Sequence, residues 1–447
     1  MQVNQEEIRT TVPCREWDYD IANKGDSIVS RFDLVCNQEF LYDLSTVVPM
    51  VVSALVAPAL GLASDRVGRR PVMMFCAFGQ LISTIGNCFA ETYTCFVFTR
   101  ILIFVATDVT FLATFSLIHE VTGNARRSIF TLLDTALPGV VVPPMMHVLS
   151  LLKPRWMLAE ALTIATVSLL LAWCCLQTES PAWLIATRNM RRAEATVLLA
   201  AKENGVDVAR ARSTFMAIKK QLSKLDKYAA TAPMEGIMET IKMRRRAVSV
   251  LLARFTLDAT YIGLMMNDVT TGIPWEVAHV VLLTAYSASI CGSMRRYGIR
   301  ETLSGLMIVL CAFAIFEAAA IFTGQQTVTR FLHAGMKVVV SGAMSVTLCY
   351  TAETFPTAVR NAGISLSHCA GGIGSTLGLT VIAIGEPHMF YALSAFMVLL
   401  TVAAIQWLPE VFIEHHMAPR AHSESERKAE LQASLKCRSV KSPKKTR

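Results

Sequence analysis

Gly61-Leu62-Ala63-Ser64-Asp65-Arg66-Val67-Gly68-Arg69-Arg70 is a short, highly charged stretch between two apolar runs, 40–60 and 72–91. Each run has the ~20 residues needed to cross a bilayer. The stretch therefore reads as a tight turn joining two membrane helices. Asp65 falls at the C-terminal end of the first helix, where the macrodipole disfavours an anion. A neighbouring Arg, or the N-terminus of another helix, has to hold it. Gly61 and Gly68 permit close approach and a tight bend. Arg66, Arg69 and Arg70 mark the cytoplasmic side.

Outward from this turn, composition points the same way. The 447 residues are 53% hydrophobic and 17% charged, against about 25% charged in soluble domains. That is a polytopic membrane protein, all-α. The net charge of +8 collects in particular loops, which fits inside loops and not nucleic-acid binding. The 12 cysteines are scattered without a C-x-x-C pair, so neither a metal nor a redox site is expected. No nucleophile, base or metal constellation appears, and neither enzymatic activity nor a cofactor is expected.

Eleven apolar segments are predicted: 40–60, 72–91, 97–118, 128–150, 157–177, 248–267, 276–293, 303–322, 328–350, 362–385 and 389–408. The loops at 92–96, 268–275 and 386–388 lack Lys and Arg, and the loops between them are basic. This alternation puts the C-terminus in the cytoplasm and the N-terminus outside. Five regions follow. Residues 1–39 are a polar extracellular stub, 40–178 a first helical bundle, 179–247 a central cytoplasmic loop, 248–409 a second bundle, and 410–447 a disordered cytoplasmic tail. Within the loop, 191–226 carries charges on one helical face and Ala, Leu and Val on the other, which predicts amphipathic helices.

The pattern G-x-x-x-D-R-x-G-R-R resembles the signature loop of the major facilitator superfamily. Within the stub, Cys14-x-x-Trp17-x-Tyr19-Asp20 and Ser27-Ile28-Val29 leading to Asp33-Leu34-Val35-Cys36 resemble the end of the long extracellular loop of solute carrier family 22, the organic cation, organic anion and carnitine transporters. Cys14 and Cys36 are either disulfide partners there or free thiols. Glu179-Ser180-Pro181-Ala182-Trp183 resembles the family's P-E-S-P-R-W at the start of its central loop. The family has twelve helices, so the eleven segments correspond to its second to twelfth. Either the chain is part of a longer protein or it is an eleven-span variant.

The resemblance also implies a gate. Tyr350-Thr351-Ala352-Glu353, Pro356 and Arg360 are similar to the family's Y-T-A-E-L-Y-P-T-x-x-R. Glu120, Gly123 and Arg126 resemble its T-E-x-x-G-x-x-x-R, with the Arg one place early. Glu120, Arg126, Glu353, Arg360 and the Asp65 loop either form an ion-pair belt that closes the inner gate or merely anchor helix ends. Two places depart from the pattern. In Met294-Arg295-Arg296-Tyr297-Gly298-Ile299-Arg300, Arg295 stands where the repeated Asp belongs. Phe104 and Val109 occupy usual small-residue positions, with Asp108 at mid-span.

Ionisable residues inside spans are functional candidates. Arg254 and Asp258 lie one helical turn apart, close to Tyr261. They line a central cavity, as the resemblance implies, or form a self-neutralised structural pair. Lys337 matches the family's basic residue in the tenth helix and is the least compensated charge. Gly372 stands where the family carries Arg in many anion carriers and Asp in many cation carriers. The expectation is transport of small organic ions by alternating access in the plasma membrane, favouring anionic or zwitterionic substrates. The alternative is a non-transporting membrane protein of this fold that acts as a binding or regulatory partner.

Overall fold

The computed structural model describes residues 18–19, 27–123, 126–134 except 128 and 132, 156–225, 241–266, 289–384 and 387–408, with 141, 145 and 286 as isolated positions. Cys14, the tail 410–447 and most of the segments 128–150 and 276–293 lie outside the described residues.

Every element described is helical. They are α1 (Ile28–Phe32), α2 (Glu39–Val67), α3 (Arg69–Cys88), α4 (Tyr93–Val121), α5 (Trp156–Leu176), α6 (Pro181–Ala186), α7 (Met190–Glu203), α8 (Val208–Leu225), α9 (Ile241–Met266), α10 (Ile299–Phe322), α11 (Gln326–Thr354), α12 (Arg360–Ile384) and α13 (Pro387–Ile405). Eight of these, α2 to α5, α9 to α11 and α13, contain stretches long and apolar enough to span a bilayer. Phe75, Phe78, Ile308 and Phe316 are large apolar side chains left exposed, as expected of residues facing lipid. The protein is integral to a membrane.

The helices overrun their apolar segments. At 29 residues α2 is about 44 Å long, enough to cross the headgroup regions as well. It runs through Asp65 and ends only at Gly68, whose φ of 122° suits glycine. Glu120 and Glu353 likewise sit on the last turns of α4 and α11. An apolar window stops at the first charge, whereas backbone hydrogen bonding continues wherever that charge is paired.

Two groups of helices result. In the first, α3 packs on α4 and α5, and α2 on α4. In the second, α9 packs on α11, α12 and α13, and α10 on α11 and α13, around Leu257, Met307, Met336, Val340 and Tyr391. The groups meet where α12 crosses α2 and α4. Small residues allow this approach: Gly61 lies against Ser365 and the Asn361 carbonyl, and Gly372 against Ala54. On its other side α12 turns Gly371, Gly374 and Gly378 to α9. Ala57, Leu112, Phe115, Leu348, Ala352 and Ile364 form a buried apolar cluster across the junction. Outside the bundle, α6, α7 and α8 pack through Trp183, Leu184, Ala193 and Phe215.

Candidate functional site

Asp65 is held by both of the partners its position calls for. Its carboxylate is 3.0 Å from the Arg69 guanidinium. It also accepts hydrogen bonds from the backbone N–H groups of Asn361 (3.3 Å) and Ala362 (2.8 Å). Those groups open the first turn of α12, where the helix dipole favours an anion. The acid that α2 disfavours at its own C-terminus therefore caps a helix of the other group. On the far side of Gly68, Glu179 accepts from the backbone N–H of Arg69 (3.1 Å) and Arg70 (3.2 Å), which caps α3. A Cβ at Gly68 would lie 2.5 Å from the Glu179 carboxylate. The Trp183 indole donates to the Asp65 carbonyl (2.7 Å), and its ring faces Arg69. Glu179 and Trp183 were visible in the sequence as a motif, but nothing there showed that they clamp this turn.

Arg69 is fully buried and ties the layer together. It donates to Glu120 (2.9 Å) and to the Thr357 carbonyl (2.8 Å). Arg360 reaches the same Glu120 oxygen (3.1 Å) and the Ala352 carbonyl (2.9 Å). Glu353 meets Arg127 and His119, each at 3.1 Å. Arg127, not Arg126, supplies this contact, and Arg126 is exposed. Arg127 is the residue four after Gly123, which is the register of the family's G-x-x-x-R, and Arg126 is the one that stands a place early. Arg66 is exposed as well, and Arg70 donates to the Cys175 carbonyl at the end of α5 (2.8 Å). Leaving a buried charge such as Glu120 without its partner costs about 3–5 kcal/mol, so the members of the layer hold one another in place.

The residues expected to line a cavity are in close contact with neighbours among the described residues. Arg254 and Asp258 pair with each other at 2.5 Å and are closed over by α12, whose Gly371 lies against the Asp258 carboxylate. This is the self-neutralised arrangement. Tyr261 packs on the second group's core. Any side chain at Gly372 would collide with Ala54, so that position has no room for a charge in this arrangement. Lys337 is half-buried and is not without a partner. The fully buried Glu317 bonds His333 at 3.1 Å, and His333 also reaches Tyr391 and the Leu264 carbonyl. A different trio bridges the two groups at mid-span: Asp108 of α4, Ser53 of α2 (2.5 Å) and His368 of α12 (3.1 Å). Asp108 was legible as a mid-span acid. His368 carried no signal, because it lies on a helix read for its glycines.

The sugar (and other) transporter family matches residues 24–418. Solute carrier family 22 member 16 of Xenopus laevis is 26% identical over 393 residues, covering 85% of this chain and 68% of that protein. Organic cation/carnitine transporter 2 of Mus musculus is 26% identical over 416 residues, covering 89% of this chain and 71% of that one. The chain thus spans about two thirds of the length of these relatives. Among solved structures, the major facilitator superfamily proton:xylose symporter XylE bound to 6-bromo-6-deoxy-D-glucose superposes with a TM-score of 0.64 at 16% identity, over 83% of this chain and 86% of that one. The fold is that of the major facilitator superfamily.

Proposed function

Because the chain belongs to the sugar (and other) transporter family, a family of transporters and not of enzymes, we propose that it moves small organic ions across the plasma membrane by alternating access. The two groups, extended to residues 40–178 and 248–409, rock about the junction of α2, α4 and α12. One observation carries this reading. The buried layer of Asp65, Arg69, Glu120 and Arg360 joins the groups at one end of the bundle, and each of its cross-group bonds has to break for that end to open. In this reading the layer is the inner gate and its end is cytoplasmic, as is the C-terminus, with Cys14 outside.

The substrate class favoured is anionic or zwitterionic. The second group offers no carboxylate at Gly372, and Asp258 is already offset by Arg254. The mouse relative is named for carnitine, which is a zwitterion. Uptake of labelled organic ions by cells expressing the full-length protein tests the proposal. Uptake that saturates, and falls in Lys337→Ala more for anions than for cations, supports it. Uptake of tetraalkylammonium ions alone, unchanged in Lys337→Ala, removes the substrate preference. The exposed Arg295 where a second latch would carry its acid favours a second reading, a non-transporting binding partner. Absence of uptake across the whole panel, with the protein at the surface, would select it. Epitopes after Arg447 and within 200–230 should be reached only after permeabilisation, and Cys14 without it.

A further inference from the structure

Asp108 lies 12 residues before Glu120 on α4, about 18 Å along the helix. The apolar cluster of Ala57, Leu112, Phe115, Leu348, Ala352 and Ile364 fills the space between. Asp108 therefore sits above the plug, at the level where α12 packs Gly372 against Ala54 of α2. Its environment differs from that of the layer below. The side chains of Asp65 and Glu120 are 2% and 0% exposed, whereas those of Asp108 and His368 are 29% and 22% exposed. Ser53 and His368 both donate to Oδ2 of Asp108. Among the described residues Oδ1 has no partner, and it is not one of the sealed polar atoms. Among the described residues its ion-pair partner is His368, which carries charge only when protonated, and no Lys or Arg pairs with it. A carboxylate in the middle of a span is costly unless something neutralises it. Phe111, three residues on and so on a neighbouring part of the same helical face, is 38% exposed. A carboxylate oxygen with an aromatic ring one helical turn away offers what an alkylated ammonium group needs. The charge meets the acid, and the methyl or methylene groups meet the ring.

We propose that Asp108, oriented by Ser53 and His368 and flanked by Phe111, binds the ammonium group of the substrate. His368 belongs to one group of helices and Asp108 and Ser53 to the other, so an ammonium bound here also touches the seam that opens. The proposal rests on the transport reading and deepens it: of the zwitterionic substrates it selects those that carry an alkylammonium group, the group for which tetraethylammonium stands in as a binding probe. The binding step itself does not depend on movement.

The test measures thermal stabilisation of the purified full-length protein by three probes: carnitine, tetraethylammonium and benzoate. Carnitine and tetraethylammonium should stabilise the wild type. Asp108→Asn should raise their half-effective concentrations by about tenfold or more, with benzoate unaffected. Ammonium probes that bind the variant as well as the wild type, or that fail to bind the wild type, overturn the assignment. Should Asp108→Asn not fold, Phe111→Ala keeps the carboxylate and removes the ring. A loss of about threefold or more for the ammonium probes alone then supports the site, and no loss overturns it. Uptake in cells separates this proposal from the broader one. Binding without uptake overturns transport and leaves the site. Uptake of benzoate that is indifferent to Asp108→Asn, with no ammonium binding, overturns the site and leaves transport.

Discussion

The chain makes the same turn twice, at Gly68 and at Gly298. The φ values are 122° and 92°, both suited to glycine. In each case the next residue is fully buried, Arg69 in one and Ile299 in the other. In each case the second residue after the glycine ties the turn to the far end of its own group. Arg70 donates to the Cys175 carbonyl, and Arg300 to the Leu408 carbonyl. What differs is everything that reaches across the seam. Asp65 and Arg69 bind the first turn of α12 and the Thr357 carbonyl just before it, while Arg295 is exposed and Ile299 is apolar. The tie inside a group is made at both turns, and a tie across the seam at the first turn alone among the described residues. The turn is therefore a folding device, and the latch is an addition to one copy of it.

The largest effect should come from removing the hub of the first copy. Arg69→Met leaves Asp65 and Glu120 buried with fewer cationic partners and should cost about 3–5 kcal/mol, read as a large fall in melting temperature in detergent. The matching change in the second copy, Ile299→Met, conserves volume and should cost less than about 1.5 kcal/mol. Equal losses would mean that Arg69 acts by packing alone.

Asp65→Asn comes next. The amide keeps the shape but loses the charge facing Arg69 and the first turn of α12, worth about 1.5–3 kcal/mol. Uptake should fall while surface expression stays largely intact. Normal uptake in Asp65→Asn would remove the gate role from the first turn and with it the contrast between the copies.

How far this was legible follows from the same residues. The turn, its glycines and its acid could be read because Gly68 and Asp65 do local work: one sets a backbone angle, the other sits at a helix end that needs compensation. The amphipathic helices α7 and α8 were legible from periodicity. Partners distant in sequence were not. Spacing on α9 placed Arg254 beside Asp258 but said nothing of the α12 glycines that close over them. The gate role went to Arg126, although the spacing of G-x-x-x-R from Gly123 falls on Arg127, the side chain that reaches Glu353. His368 is an ordinary residue in sequence and becomes notable only because α12 packs it against α4.

A smaller effect separates neighbours. Arg127 pairs with Glu353 in a partly exposed setting, each side chain about a quarter exposed, so Arg127→Ala should cost at most about 1 kcal/mol. Arg126→Ala should change neither stability nor uptake measurably. The reverse order would move the role to Arg126, against the motif's register.

The smallest effect should come from giving the second turn the acid it lacks. Arg295 is exposed on the last turn before Gly298, so Arg295→Asp removes no buried contact. A cation suits a helix C-terminus and an anion does not, a difference of about 0.3–1 kcal/mol that solvent and salt reduce. Melting temperature should therefore fall slightly or stay unchanged. No new latch should form, because the first copy needs two parts. Arg69 meets Asp65 from four residues on, and the residue four after 295 is Ile299, which offers no guanidinium. The double change Arg295→Asp with Ile299→Arg supplies both. If the tie across the seam depends on the helix that receives it as well as on the turn that sends it, the double variant should be destabilised by a buried Arg without a matching Glu120. Improved stability in the double variant would show that the second copy lacks side chains only, and that the seam would accept a latch from either group.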